Sequence, residues 1–297
     1  MRKVIQRREF LQTAGVAAAV WPAGTAQGAP EMPAMNRHAR LLSGCCAYSY
    51  WRYLEPGKMT MEEVILKAVE LGVVGVDMTG YYLKSTEPAY LVSLRQLAFK
   101  NGVPFTGAAA GTKMCLADRS KRATALAEIN QWVDATEWLG ASHLRVFGGE
   151  LAPGASIEQG IQWVVEVMRP ACDYSAKKGI TLGIESHGGV TARAEDILEI
   201  LRRVDSPYAA CTLDITHFRE NEYAQIEMCI PYATQTHIRD HFDSGQPIDF
   251  DRLGRIFAQA GYKGYMSAEY DGKEDCLTAV PKLLERIKAM CHKYSSV

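Results

Sequence analysis

Four polar residues stand where a protein could hold a metal ion: Glu185, Asp214, His237 and Glu269. Each follows or interrupts a short apolar, β-rich run, in Gly183-Ile184-Glu185, Thr212-Leu213-Asp214, Thr236-His237-Ile238 and Ser267-Ala268-Glu269. Their spacings are 29, 23 and 32 residues, each close to one strand-plus-helix unit. Three carboxylates crowded together repel one another unless a cation sits between them. Two Glu, one Asp and one His form an oxygen-rich set with a single imidazole. Such a set suits Mn²⁺ or Mg²⁺, with Co²⁺ and Zn²⁺ also admissible. Any one of these residues alone is an ordinary polar strand end. Four in consecutive units predict a single divalent-metal site, Mn²⁺ favoured, whose chemistry is Lewis-acid catalysis.

The elements that must position them alternate regularly. Strands are expected at 44–50, 73–78, 103–109, 143–147, 180–185, 209–214, 234–238 and 264–269. Helices are expected at 60–71, 90–101, 118–139, 156–178, 192–204, 221–230, 249–260 and 277–294. Thr60 with Glu63 forms a capping box, and Gly102, Gly140 and Gly179 stop three of the helices. Eight βα units in roughly 250 residues predict an α/β fold, a single-domain (β/α)8 TIM barrel spanning 41–297. A doubly wound sheet would place a Gly-rich phosphate loop after its first strand, where Ser49-Tyr50-Trp51-Arg52 stands instead. In a barrel, chemistry collects at the C-terminal strand ends, where all four candidate ligands fall.

The chain has 297 residues, 47% hydrophobic and 23% charged, ordinary for a globular protein. Its first residues read as an address. Arg7-Arg8-Glu9-Phe10-Leu11, an apolar stretch over 13–21 and a small-residue exit near Gly28 are the parts of an export signal. The arginine pair resembles a twin-arginine signal, which implies the twin-arginine export machinery as a partner and a periplasmic or extracytoplasmic location. Residues 1–28 are therefore expected to be the signal and 29–40 a loose tail; unchanged export after Arg7→Lys and Arg8→Lys would contradict this. Without residues 1–28 the chain carries 29 basic and 33 acidic residues, a net −4. That charge argues against a nucleic-acid partner. No apolar run reaches the ~20 residues of a membrane span. The eight cysteines include no Cys-x-x-Cys pair, and most are expected to be buried small hydrophobes.

The segments Gly-Ile-Glu185-Ser-His187-Gly-Gly, Leu-Asp214-Ile-Thr-His217, His237-Ile-Arg239-Asp240 and Ala-Glu269-Tyr resemble the xylose-isomerase-like barrels of the sugar phosphate isomerase/epimerase family. The resemblance covers most of residues 41–292. It implies a sugar or keto-sugar isomerase or epimerase that binds one divalent metal through Glu185, Asp214, His237 and Glu269. Proton abstraction next to a carbonyl, through a metal-stabilised enediolate, would be its reaction, with Glu185 and Glu269 as the acid–base pair. It places a substrate-binding or second metal-binding His at His217, and substrate contact is the favoured role. His187, Arg145, Arg239 and Trp51 are further candidates for contact with a carbohydrate, and Tyr48, Lys113 and Glu150 are weaker ones. A homo-oligomer is compatible with this reading. The nearest rival is a metal-dependent lyase or dehydratase acting on oxidised sugars or glycosides; a more distant one is a non-catalytic sugar-binding barrel. The apurinic-endonuclease branch needs three zinc ions and more histidines, which the loops Met78-Thr79-Gly80-Tyr81-Tyr82 and Phe147-Gly148-Gly149-Glu150 do not supply.

Overall fold

The structure, a computed structural model, describes residues 38–295. The expected signal at 1–28 and most of the expected tail lie outside the described residues. Eight strands alternate with helices: β1 (Arg40–Cys46), β2 (Val76–Thr79), β3 (Phe105–Lys113), β4 (His143–Phe147), β5 (Thr181–Glu185), β6 (Ala209–Asp214), β7 (Ala233–Ile238) and β8 (Lys263–Ala268). Each pairs in parallel with the next, and β1 pairs with β8 to close the barrel. The helices are α1 (Trp51–Leu54), α2 (Met61–Glu70), α3 (Pro88–Lys100), α4 (Arg119–Leu139), α5 (Ile157–Ala176), α6 (Ala194–Val204), α7 (Glu222–Cys229), α8 (Phe250–Gln259) and α9 (Cys276–Tyr294). The architecture is a single-domain TIM barrel, as the strand–helix alternation predicts. No helix among the described residues is long and apolar enough to cross a membrane.

Local chemistry explains the helix ends. Thr60 and Glu63 make the expected capping box before α2, and Ser156 with Gln159 makes a second before α5. Gly140 ends α4 at φ 76°, a left-handed conformation that glycine adopts without strain. The first strand departs from expectation. It starts at Arg40, already paired with Lys263, and stops at Cys46. Residues 47–50 wind into a 3-10 turn because Ser49 Oγ bonds β8: it donates to Ala268 O at 3.0 Å and accepts from Tyr270 N at 2.9 Å.

Side chains alternate along the strands. One set (Leu144, Val146, Leu182, Ile184 and Leu213 among them) belongs to the hydrophobic core. The other fills the barrel with polar groups. Gln235 Nε2 reaches Thr106 Oγ1 and Ser267 Oγ, both at 3.1 Å, and His143 Nε2 lies 3.1 Å from Thr212 Oγ1. Gly183 makes room for this layer, since a Cβ there would come within 2.3 Å of both His143 Nε2 and Thr212 Oγ1. Two residues further along these strands stand Arg145, Glu185, Asp214 and His237, one level nearer the C-terminal rim. All eight cysteines are buried and free, as small hydrophobes.

Candidate active site

Strand register pairs Asp214 with His237, Glu185 ends β5 opposite Thr212, and Glu269 follows β8 directly, two residues beyond Ser267, the partner of His237. All four are buried. His237 Nδ1 lies 3.0 Å from Glu185 Oε1 and 3.2 Å from Glu269 Oε1. Glu185, Asp214 and His237 each offer a donor atom, and these atoms lie within 4.8 Å of one another. Asp214 Oδ1 is fixed by the backbone N–H of Thr216 at 2.9 Å and by its hydroxyl at 2.5 Å, which leaves Oδ2 for the site.

The charges around this cluster test whether a metal fits. Asp77, Glu185, Asp214 and Glu269 face two arginines. Arg145 Nε lies 3.6 Å from Glu185 Oε2, and Arg239 Nη2 lies 3.3 Å from Asp214 Oδ2 and 3.1 Å from Glu269 Oε2. Among these six groups carboxyls outnumber guanidiniums by two, and this donor chemistry fits a divalent cation. Burial pushes the His237 imidazole down, but Glu269, Cys46 and Asp77 hold it well above its ordinary range. His217 is likewise opposed by burial yet raised to about 10, because Asp214 and Asp243 flank its ring at 3.1 and 3.0 Å. The two glutamates diverge. Burial raises Glu185, but Arg145 and His237 more than reverse this and leave it below the usual carboxylate range. Burial also raises Glu269, and Asp214 and Glu185 add to it, outweighing His237 and Arg239.

A pH dependence follows. A metal must displace the proton on His237 Nδ1, and the raised affinity of that nitrogen for its proton makes the two compete. Mn²⁺ affinity is therefore expected to rise with pH, by about tenfold per unit while His237 stays protonated, with one proton released per ion bound. Titration calorimetry at several pH values, in buffers of different ionisation enthalpy, measures both; a pH-independent affinity would contradict this electrostatic picture.

The residues expected to touch substrate fall into two groups. His217 and His187, with ring centroids 4.5 Å apart, line a cleft of about 800 Å³ together with Glu150, Arg193, Arg219 and Asp243. Arg239 reaches the ligand set and also Asp271, at 3.0 Å; it does not pair with Asp240, whose partner is His241. Trp51, half-buried at the start of α1, stacks with Tyr48 at 6.4 Å, and Tyr48 in turn stacks with Tyr82 at 6.5 Å. Lys113 ends β3 and is exposed.

Arg145, whose inward position fits a substrate contact and a barrel ion pair equally, forms an ion pair in the structure. Its side chain is 2% exposed, and it turns its nitrogens to Ala110 O, Tyr81 Oη and Glu185 while its guanidinium lies 4.0 Å over Phe147. This is an internal ion pair that holds Glu185. Arg145→Met strands a buried carboxylate, so a loss of about 3 kcal/mol in folding stability is expected, measured as the urea midpoint. An unchanged midpoint with a raised KM would put the guanidinium on substrate instead.

Sequence reasoning passed over Asp77, Cys46, Asp243 and Asp271. Asp77 Oδ2 lies 2.7 Å from His237 Nε2, and Cys46 Sγ donates to Glu269 Oε1 at 3.5 Å. The available signal for Asp77 was a lone carboxylate between Val76 and Met78 in an apolar strand.

Comparison with known proteins agrees with the architecture. Residues 65–290 match the family described as "Xylose isomerase-like TIM barrel". A search of curated proteins gave no match. Among solved structures, the chain is similar to a D-psicose 3-epimerase from Clostridium cellulolyticum H10, with TM-score 0.69 and 17% identity over 86% of this chain and 98% of that one. It is similar to a 3-keto-D-glucoside 4-epimerase from E. coli, with TM-score 0.66 and 16% identity over 84% and 99% of the two chains. A probable 3-DHS dehydratase from Bacillus anthracis gives TM-score 0.64 and 15% identity over 84% and 98%. At these identities the likeness is one of fold.

Proposed function

The chain belongs to the xylose isomerase-like TIM barrel family, and from that premise we propose that it is a divalent-metal-dependent isomerase or epimerase of sugars or keto-sugars. One observation carries this reading. Glu185, Asp214, His237 and Glu269, from four consecutive βα units, converge at one rim of the barrel, where buried carboxyls outnumber the arginines that face them. Glu185, Asp214, Glu269 and His237 Nδ1 would hold the cation. When bound, it supplies the charge that holds neighbouring carbonyl and hydroxyl oxygens and stabilises the negative charge left by a departing C–H proton.

The chain's own residues do the rest. Glu185 and Glu269 each bring an oxygen to His237 Nδ1, at 3.0 and 3.2 Å, so a substrate bound beside this ring would have two carboxyls at hand for proton transfer. Their unequal environments suit opposite roles, Arg145 keeping Glu185 ionised while burial favours a proton on Glu269. His187, at the edge of the cleft, offers its ring to substrate hydroxyls, while both nitrogens of His217 are held by Asp214 and Asp243 and its ring forms part of the cleft wall. Burial of the four candidate ligands keeps bulk water from competing for the carbanion.

The test is exchange with solvent. Mn²⁺-loaded protein incubated in heavy water with a panel of ketoses and keto-glycosides is expected to place deuterium on a carbon next to the carbonyl of at least one of them, seen by NMR. It is also expected to yield the epimer or isomer. An unsaturated product after the same exchange would assign a dehydratase, the activity named for one of the similar folds. No exchange by metal-loaded protein with any member of the panel would favour a binding protein.

A further inference from the structure

We propose that Asp77 is a positioning residue for His237, anchoring the far edge of the ring so that Nδ1 is aimed at the cation. The inference rests on reading the four-residue set as a cation site. An imidazole can present either nitrogen, and it can turn its ring over; a ligand must do neither. His237 Nε2 lies 2.7 Å from Asp77 Oδ2, and both side chains are almost wholly buried, at 0% and 1% exposure. A carboxylate only accepts, so Nε2 holds its N–H toward Asp77, and Nδ1, which faces Glu185 and Glu269, is the nitrogen whose lone pair a cation would take in exchange for a proton. The contact crosses the barrel from β2 to β7, two strands that do not pair with each other. It is therefore not a by-product of strand register.

The other Asp77 oxygen shows that this carboxylate is not placed for its own stability. Oδ1 is buried with no protein partner, and so is His143 Nδ1. Both face Gly107, where a Cβ would come within 3.3 Å of Asp77 Oδ1 and 2.8 Å of His143 Nδ1. A buried carboxylate with one oxygen unsatisfied by protein is costly. Its second oxygen spends its one close contact on the candidate metal ligand.

The experiment compares full-length wild type with Asp77→Ala and Asp77→Asn, each examined without metal and with Zn²⁺ as a diamagnetic probe. Nitrogen-15 NMR of the histidine rings is read, with His237→Gln identifying the His237 signals. In Zn²⁺-loaded wild type, His237 is expected to show a protonated, exchange-protected Nε2 and a metal-bound Nδ1. Asp77→Ala is expected to lose the protected Nε2–H signal and about 10–100-fold in Zn²⁺ affinity while retaining cooperative unfolding. Asp77→Asn, which keeps an acceptor oxygen, is expected to restore the signal and part of the affinity. Equal affinity and an unchanged ring spectrum in Asp77→Ala would overturn the proposal. So would a sulfur-to-cobalt charge-transfer band in Co²⁺-loaded wild type, because Cys46, Asp77 and His237 also offer donors within 4.8 Å of one another and such a band would make Asp77 a neighbour of the ion. If Glu185→Gln/Asp214→Asn also left Zn²⁺ binding intact, the cation site itself would fail; if only the Asp77 variants did, the site would stand without Asp77's role.

Discussion

Glu269→Gln is expected to lower kcat by about 10³-fold, the range of a lost general acid or base, while one equivalent of cation stays bound. The amide keeps an oxygen at the Oε1 position, 3.2 Å from His237 Nδ1, so the donor set is weakened rather than emptied. It cannot cycle a proton, and that is the function the geometry gives this carboxyl. Arg239 Nη2, 3.1 Å from Oε2, then faces the amide NH2 instead of an oxygen and keeps Asp214 and Asp271 as its acceptors. Steady-state kinetics beside metal analysis of the same sample separates the two roles. Full turnover in the variant would remove Glu269 from the chemistry and leave it a ligand. Loss of metal and turnover together would make the ligand role sufficient to explain both.

The double variant Glu185→Gln/Asp214→Asn is expected to lose more than about 10³-fold in Mn²⁺ affinity. Residues that merely support a ligand typically cost about 10–100-fold each when changed, and here two donors lose their charge outright. The fold is expected to survive. Arg145 and Arg239 keep other acceptors in Ala110, Tyr81, Asp271 and Glu269. His217, held protonated by Asp214, can give up its proton once that side chain is neutral. A variant that unfolds like wild type yet takes up no ion would assign these residues to function. Retained affinity would show that the four-residue set is not the site.

Much of the fold was legible because local and global signals agree. His143–Phe147 and Ala209–Asp214 are strands over the very residues expected, each a short β-rich run closed off by a turn or helix signal. The first strand was misread for a physical reason. Residues 47–50 continue an apolar, aromatic pattern that looks extended, and only the bonds of Ser49 to β8, more than 200 residues away, turn the chain there. β3 runs on to Lys113, beyond the alanine run where its pattern was judged to end.

The candidate site divides along the same line. Glu185, Asp214, His237 and Glu269 were readable because each closes or punctuates an apolar run at regular spacing. Asp77 was not, because its value lies in a contact across the barrel to a residue 160 positions away. Arg145 was visible as inward-pointing by alternation. Whether it served substrate or Glu185 depended on Tyr81 and Ala110 from two other units.

The measurement that tests the central claim most directly is metal content by elemental mass spectrometry on purified wild-type protein after incubation with Mn²⁺, Mg²⁺, Co²⁺ or Zn²⁺ and removal of free ion. A single cation site predicts one equivalent per chain of at least one of these ions. No retained ion under any of the four conditions would contradict the metal-assisted mechanism, and three equivalents of zinc would contradict the single site.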